Sequence, residues 1–187
     1  FSFSFTVPKD IAYSNDFGKM NFYAFNNQDS IEAQGSFLDF RVGGTSDTGG
    51  DDTEGPEIRY LYLNDTTFVD GGQVNSTPLF VVSLWDKSGI NITGSSIGHD
   101  MMLIIDNQTS KSYNLNDYYQ LMGSDGAGQA IFSIPELEPG LHTAEFKVWD
   151  VLNNSTTQTF TFEVVKDMKP NLISVFATPI PAREKVT

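Results

Sequence analysis

Two tryptophan–aspartate pairs, Trp85 with Asp86 and Trp149 with Asp150, each close an apolar run and open a turn-rich loop. The first loop, 84–100, reads LWDKSGINITGSSIGHD and also carries Asn91 and Asp100; the second continues through Leu152, Asn153 and Asn154. Carboxylates and side-chain amides offer hard oxygen atoms, and a set of them suits Ca²⁺, which takes roughly 6 to 8 such ligands. The same residue types bond their own backbone in Asx turns at strand ends, which would leave each Asp capping its own loop and pointing away from the rest. The candidate metal ligands are therefore Asp86, Asn91, Asp100, Asp150 and Asn153, with turn capping and calcium binding both open as their role. The acids of the stretch 43–55, among them Asp47, Asp51, Asp52 and Glu54, are close enough in the chain to join them.

Other chemistry is scarce. The chain has no cysteine, which removes thiolate metal sites and a cysteine nucleophile from these residues. Its two histidines are His99 and His142. His99, between Gly98 and Asp100, is expected to bond a loop carbonyl or the neighbouring carboxylate. His142 is expected as a half-exposed cross-strand partner. No Ser, Asp or Glu has a motif context that would make it a nucleophile or general acid with this pair. With 24 acidic and 11 basic residues, the formal net charge of −13 repels a polyanion and excludes nucleic-acid binding. No apolar run approaches the roughly 18 residues of a membrane span. Asn-x-Ser/Thr triplets, among them those starting at Asn64, Asn75, Asn91, Asn107 and Asn154, read as surface turns.

The elements that must position these groups are strands. An apolar fraction of 39%, with 15 Phe, 7 Tyr and 2 Trp, supports a real core. Residues 1–7 (FSFSFTV) alternate with period two, 20–25 and 36–42 are further strands, and 1–42 reads as the end of a preceding β domain. Gly/Asp-rich 43–55 is a linker. From 56 to 166 strands recur at 57–63, 78–84, 100–105, 111–114, 128–134, 141–149 and 156–165, the size and rhythm of an immunoglobulin-like antiparallel β-sandwich. Residues 115–122 could form one helical turn. A connector and the first strand of a following β domain occupy 167–187. The fold class is all-β throughout. If the seven strands alternate in direction, the second and sixth end at one pole, and the first begins there. The loops 86–100 and 150–155 and the linker acids Asp51, Asp52 and Glu54 would then meet.

Several blocks in order are familiar: DTEGPEIRYLYLND, LWDKSGINITGSSIGHDMMLIID, LNDYY and LEPGLHTAEFKVWDVLNNS, with FSFSFTVPKDI ahead of them and TPIPAREKVT behind. Together they resemble the C-terminal region of the sortase-like cysteine peptidase of the bacterial type IX secretion system, a relative of the gingipains. The resemblance covers nearly the whole chain. It implies a non-catalytic accessory region, exposed on the extracellular side of the outer membrane of a Bacteroidetes-type cell. Its partners would be the peptidase domain of the same polypeptide and, with it, other secretion-system proteins or cargo. The family's catalytic Cys and His belong to a domain N-terminal to this region, and none is carried over. A competing reading is a cation-dependent adhesion or carbohydrate-binding module, with Tyr118, Tyr119, Trp85 and Trp149 as an exposed platform.

Overall fold

The computed structural model describes residues 7–9, 11, 14–26, 28, 30–44, 52–94, 97–122 and 126–166. The strands expected at 1–7 and beyond 167 lie largely or wholly outside these residues. Among the described residues the chain is all-β, with only two 3₁₀ turns, Thr109–Lys111 and Asn116–Tyr118.

Nine strands form two stacked sheets. β3 (Glu57–Leu63), β5 (Leu79–Trp85), β9 (Gly128–Ser133) and β8 (Tyr119–Leu121) pair in that order, and all three pairings are antiparallel. The other sheet runs β4 (Gln73–Val74), β11 (Ser155–Val164), β10 (Gly140–Trp149), β6 (Met102–Ile105) and β7 (Ser112–Asn114), with β4 lying parallel to β11. The first order is the A-B-E-D sheet of an immunoglobulin-type sandwich, and β6-β10-β11 is its C-F-G sheet. Two strands were not expected. β4 is two residues long, and β8 follows the single helical turn at Asn116–Tyr118.

Alternation places the core. In β10, His142, Ala144, Phe146 and Val148 point inward while Leu141, Thr143 and Glu145 face water. In β5, Phe80, Val82 and Leu84 are fully buried. Phe80 packs on Phe146 and Phe160, with ring centroids 5.4 and 6.4 Å apart, and joins the two sheets. Burying each such side chain stabilises the fold by roughly 1.5–3 kcal/mol.

Ahead of the sandwich stands a hairpin of β1 (Met20–Asn26) and β2 (Ile31–Phe37), paired from Asn26↔Ile31 to Met20↔Phe37. The strand expected at 36–42 is thus displaced toward the N-terminus. Ser30 adopts a positive φ of 52°, so the turn closes early, pairing starts at Ile31 and is complete at Phe37.

Candidate functional site

The inward period of two strands builds the site. Continuing Phe80, Val82 and Leu84 by two residues reaches Asp86, and continuing Ala144, Phe146 and Val148 by two reaches Asp150. Each Asp is therefore the next inward position beyond the last core residue of its strand, one from each sheet, and both are buried. The loops are tied together by an Ile90–Asp150 bridge, by the Asn91 amide donating to the Trp149 carbonyl at 2.8 Å and by the Val151 amide donating to Gly89 at 3.0 Å.

A third carboxylate arrives from the linker. Asn154 Nδ2 donates to the Asp52 carbonyl at 3.1 Å, and the Ser88 hydroxyl donates to Asp52 Oδ2 at 2.5 Å. The linker then crosses the start of β11 so closely that a Cβ on Gly55 would lie 2.6 Å from the Ser155 backbone. One oxygen each from Asp52, Asp86 and Asp150 lies within 4.8 Å of the others. Among the described residues, this is the group of acidic or histidine side chains spaced to hold a metal.

Turn capping and convergence occur together here. Asp86 Oδ1 accepts from the Ser88 and Gly89 amides, and Asp150 Oδ1 accepts from Leu152 and Asn154, while Asn154 Nδ2 reaches Asp150 Oδ2 at 2.7 Å. Burial pushes the Asp86 carboxyl above the usual carboxylate range; the Ser88 and Gly89 amides oppose this, and the Asp150 and Asp52 charges add to the rise. Asp52 is held low, chiefly by the Ser88 hydroxyl. Three hard, closely spaced carboxylates are donors for a hard divalent cation.

The remaining candidates make contacts of their own. Asp100 is outside this group, and its Oδ1 accepts from Asn116 Nδ2 at 2.7 Å. The Asn116 Oδ1 in turn accepts from the Met101 amide, so Asp100 braces the entry to β6. Asn91 is buried and accepts from the Thr93 amide and hydroxyl. Asn153 sits at a positive φ of 71°, its amide donating to the Asp150 carbonyl. Glu54 contributes an amide to Asp52 Oδ1, while Asp47 and Asp51 lie outside the described residues. Ser88 and Asn154 position the site without having been singled out for it; Asn154 was visible as a turn residue of the second loop and as the start of an Asn-Ser-Thr triplet.

Both histidines have other roles. His99 lies against Trp149, ring centroids 4.3 Å apart. His142 is buried, not half-exposed, because it falls on the inward period of β10. Its Nε2 donates to the Glu138 carbonyl at 2.7 Å and its Nδ1 meets Asp106 Oδ2 at 2.8 Å. It occupies the place of the tyrosine that braces this corner in many immunoglobulin-type sandwiches. Tyr119 is also buried, lying over Gly128, with its hydroxyl pushed up to about 12 by burial and by Asp86. Tyr118 packs edge-on against Phe132. These consecutive rings do not share a platform.

The architecture defines an all-β, immunoglobulin-like sandwich module with a carboxylate cluster at one pole. Over 89% of its length the chain is similar, at 44% sequence identity and a TM-score of 0.65, to dimeric latent PorU from Porphyromonas gingivalis. PorU is a sortase-like cysteine peptidase of the type IX secretion system. The resemblance carried by the motif blocks is thus borne out, and the chain spans 16% of the length of that PorU chain. An endo-β-1,4-mannanase from Thermotoga petrophila matches at 12% identity over 59% of this chain and 21% of its own, with a TM-score of 0.38. CopC from Methylosinus trichosporium OB3b matches at 15% identity over 60% of this chain and 100% of its own, with a TM-score of 0.36. Neither carries an argument about this chain. No family model and no curated protein matches. Among the described residues no helix is long and apolar enough to cross a membrane.

Proposed function

We propose that this chain is a non-catalytic accessory region, C-terminal to the peptidase domain, of a type IX secretion sortase-like cysteine peptidase on the bacterial cell surface. The observation that carries the reading is the 44% identity to PorU over 89% of the chain. The chemistry of the residues supports it. There is no cysteine, and His142 spends both ring nitrogens on Asp106 and the Glu138 carbonyl. The sandwich supports the peptidase domain or contacts secretion partners and cargo. The carboxylates of Asp52, Asp86 and Asp150 are proposed to hold calcium, which would lock the linker onto the pole of the sandwich. The test is incubation with peptides carrying type IX sorting signals. The longer polypeptide is expected to cleave them and this chain alone to leave them intact; cleavage by the isolated chain overturns the reading.

A further inference from the structure

The β1–β2 hairpin presents two unlike faces. Cross-strand partners share a face, so the register places Met20, Phe22, Ala24, Ile31, Ala33, Gly35 and Phe37 on one side, with Asn26 as its polar member. The other side carries Asn21, Tyr23, Phe25, Glu32, Gln34 and Ser36. A hairpin with one apolar and one largely polar face is built as half of a packed layer. Yet Phe22 is 44%, Ile31 61% and Phe37 47% exposed. The apolar face is also shaped. Ala24, Ala33 and Gly35 line a shallow depression beside Phe22, and a Cβ on Gly35 would meet no atom within 4 Å. Such a depression accepts a large side chain from a facing surface. A two-stranded ribbon is at best marginally stable in water without such a cover.

We propose that the Phe22–Phe37 face of this hairpin docks, apolar side to apolar side, on the peptidase-side part of the same polypeptide. The inference rests on the reading above that the chain is an accessory region of a longer peptidase. Two arguments choose this occupant. The chain corresponds to only 16% of the PorU chain it matches, so most of a polypeptide of that kind lies outside it. A tethered surface also acts at an effective concentration of order millimolar for a short linker, which a second copy at micromolar concentration does not reach. Docking would tie the sandwich to the peptidase through the hairpin as well as through the linker.

The test is photo-crosslinking in the full-length protein, with Phe22→p-benzoylphenylalanine on the apolar face and Tyr23→p-benzoylphenylalanine on the other. Crosslinks within one polypeptide, from position 22 to residues ahead of 1, at least several-fold above those from position 23, are the expected result. Adding Gly35→Trp, which fills the depression from open space, should reduce that yield several-fold. Crosslinks to a second copy, to residues 1–7 alone, equally from both faces, or none, overturn the proposal. Peptidase activity of the unsubstituted full-length protein is measured alongside. An inactive protein with the one-faced intrachain crosslink removes the peptidase reading and leaves the docking face standing.

Discussion

Asp86 and Asp150 are 64 residues apart in the chain and follow strands of opposite sheets, yet each offers a carboxylate oxygen within 4.8 Å of the other, with Asp52 as the third member. Calcium bound there at ten times its dissociation constant would stabilise the fold by about 1.4 kcal/mol. Thermal melts in millimolar calcium should therefore show a higher midpoint than melts in a chelator, and Asp86→Ala or Asp150→Ala should abolish the difference. Asp86→Asn separates charge from turn capping, since the amide oxygen still accepts from Ser88 and Gly89. The raised Asp86 carboxyl contributes stability at acid pH that is lost as pH rises through its folded value. Without calcium at pH 7, Asp86→Asn should melt at or above the parent, and it should respond less to calcium.

Gly55 lets the linker pass against the start of β11. Gly55→Ala places a methyl group 2.6 Å from the Ser155 backbone, which must shift. The expected cost is about 1–3 kcal/mol, the usual scale for overpacking, and Asp52 should be drawn away from the pole. Chemical denaturation measures the first effect, and a weakened calcium response measures the second.

Asp106 Oδ2 meets the His142 ring, and the carboxylate accepts from Lys111 and the Thr143 amide. Burial works to raise its carboxyl, but those three bonds together hold it below the usual range. Its contribution is therefore fully present above an unfolded value of about 4 and is lost as pH falls through the lower folded value. Asp106→Asn should cost about 1–3 kcal/mol at pH 7. Urea titrations at neutral pH and below pH 4 should show that the variant loses less stability on acidification than the parent.

The composition of 43–55 predicts that proteases attack there. Asp52 and Gly55 are held on the sandwich, so the cuts should fall before Asp52 and leave a stable fragment that retains it. Limited proteolysis with mass spectrometry checks this. A fragment beginning after Gly55 would mean that the linker is not held at the pole.

The apolar, β-branched and aromatic run 79–85 and the alternation in 141–149 were enough to read an all-β sandwich, because both are local properties of extended chain, and period two decides which side chains turn inward. The same period, carried two residues past Leu84 and Val148, marks Asp86 and Asp150 as inward groups, and carried back from Phe146 it marks His142 as buried. The last of these was legible but obscured by the neighbouring Gly140 and Leu141, which suggested an open strand start. Other features depended on contacts between segments distant in sequence. Asp52 rather than Glu54 faces the pole because Gly55 crosses Ser155 and because Ser88 and Asn154 grip the chain just ahead of that crossing. Asp100 leaves the cluster because Asn116, 16 residues later, offers it an amide at the mouth of β6. Local periodicity assigns a side chain to a face, whereas the set of carboxylates that shares one space is decided only when two sheets stack and a glycine lets a third segment approach.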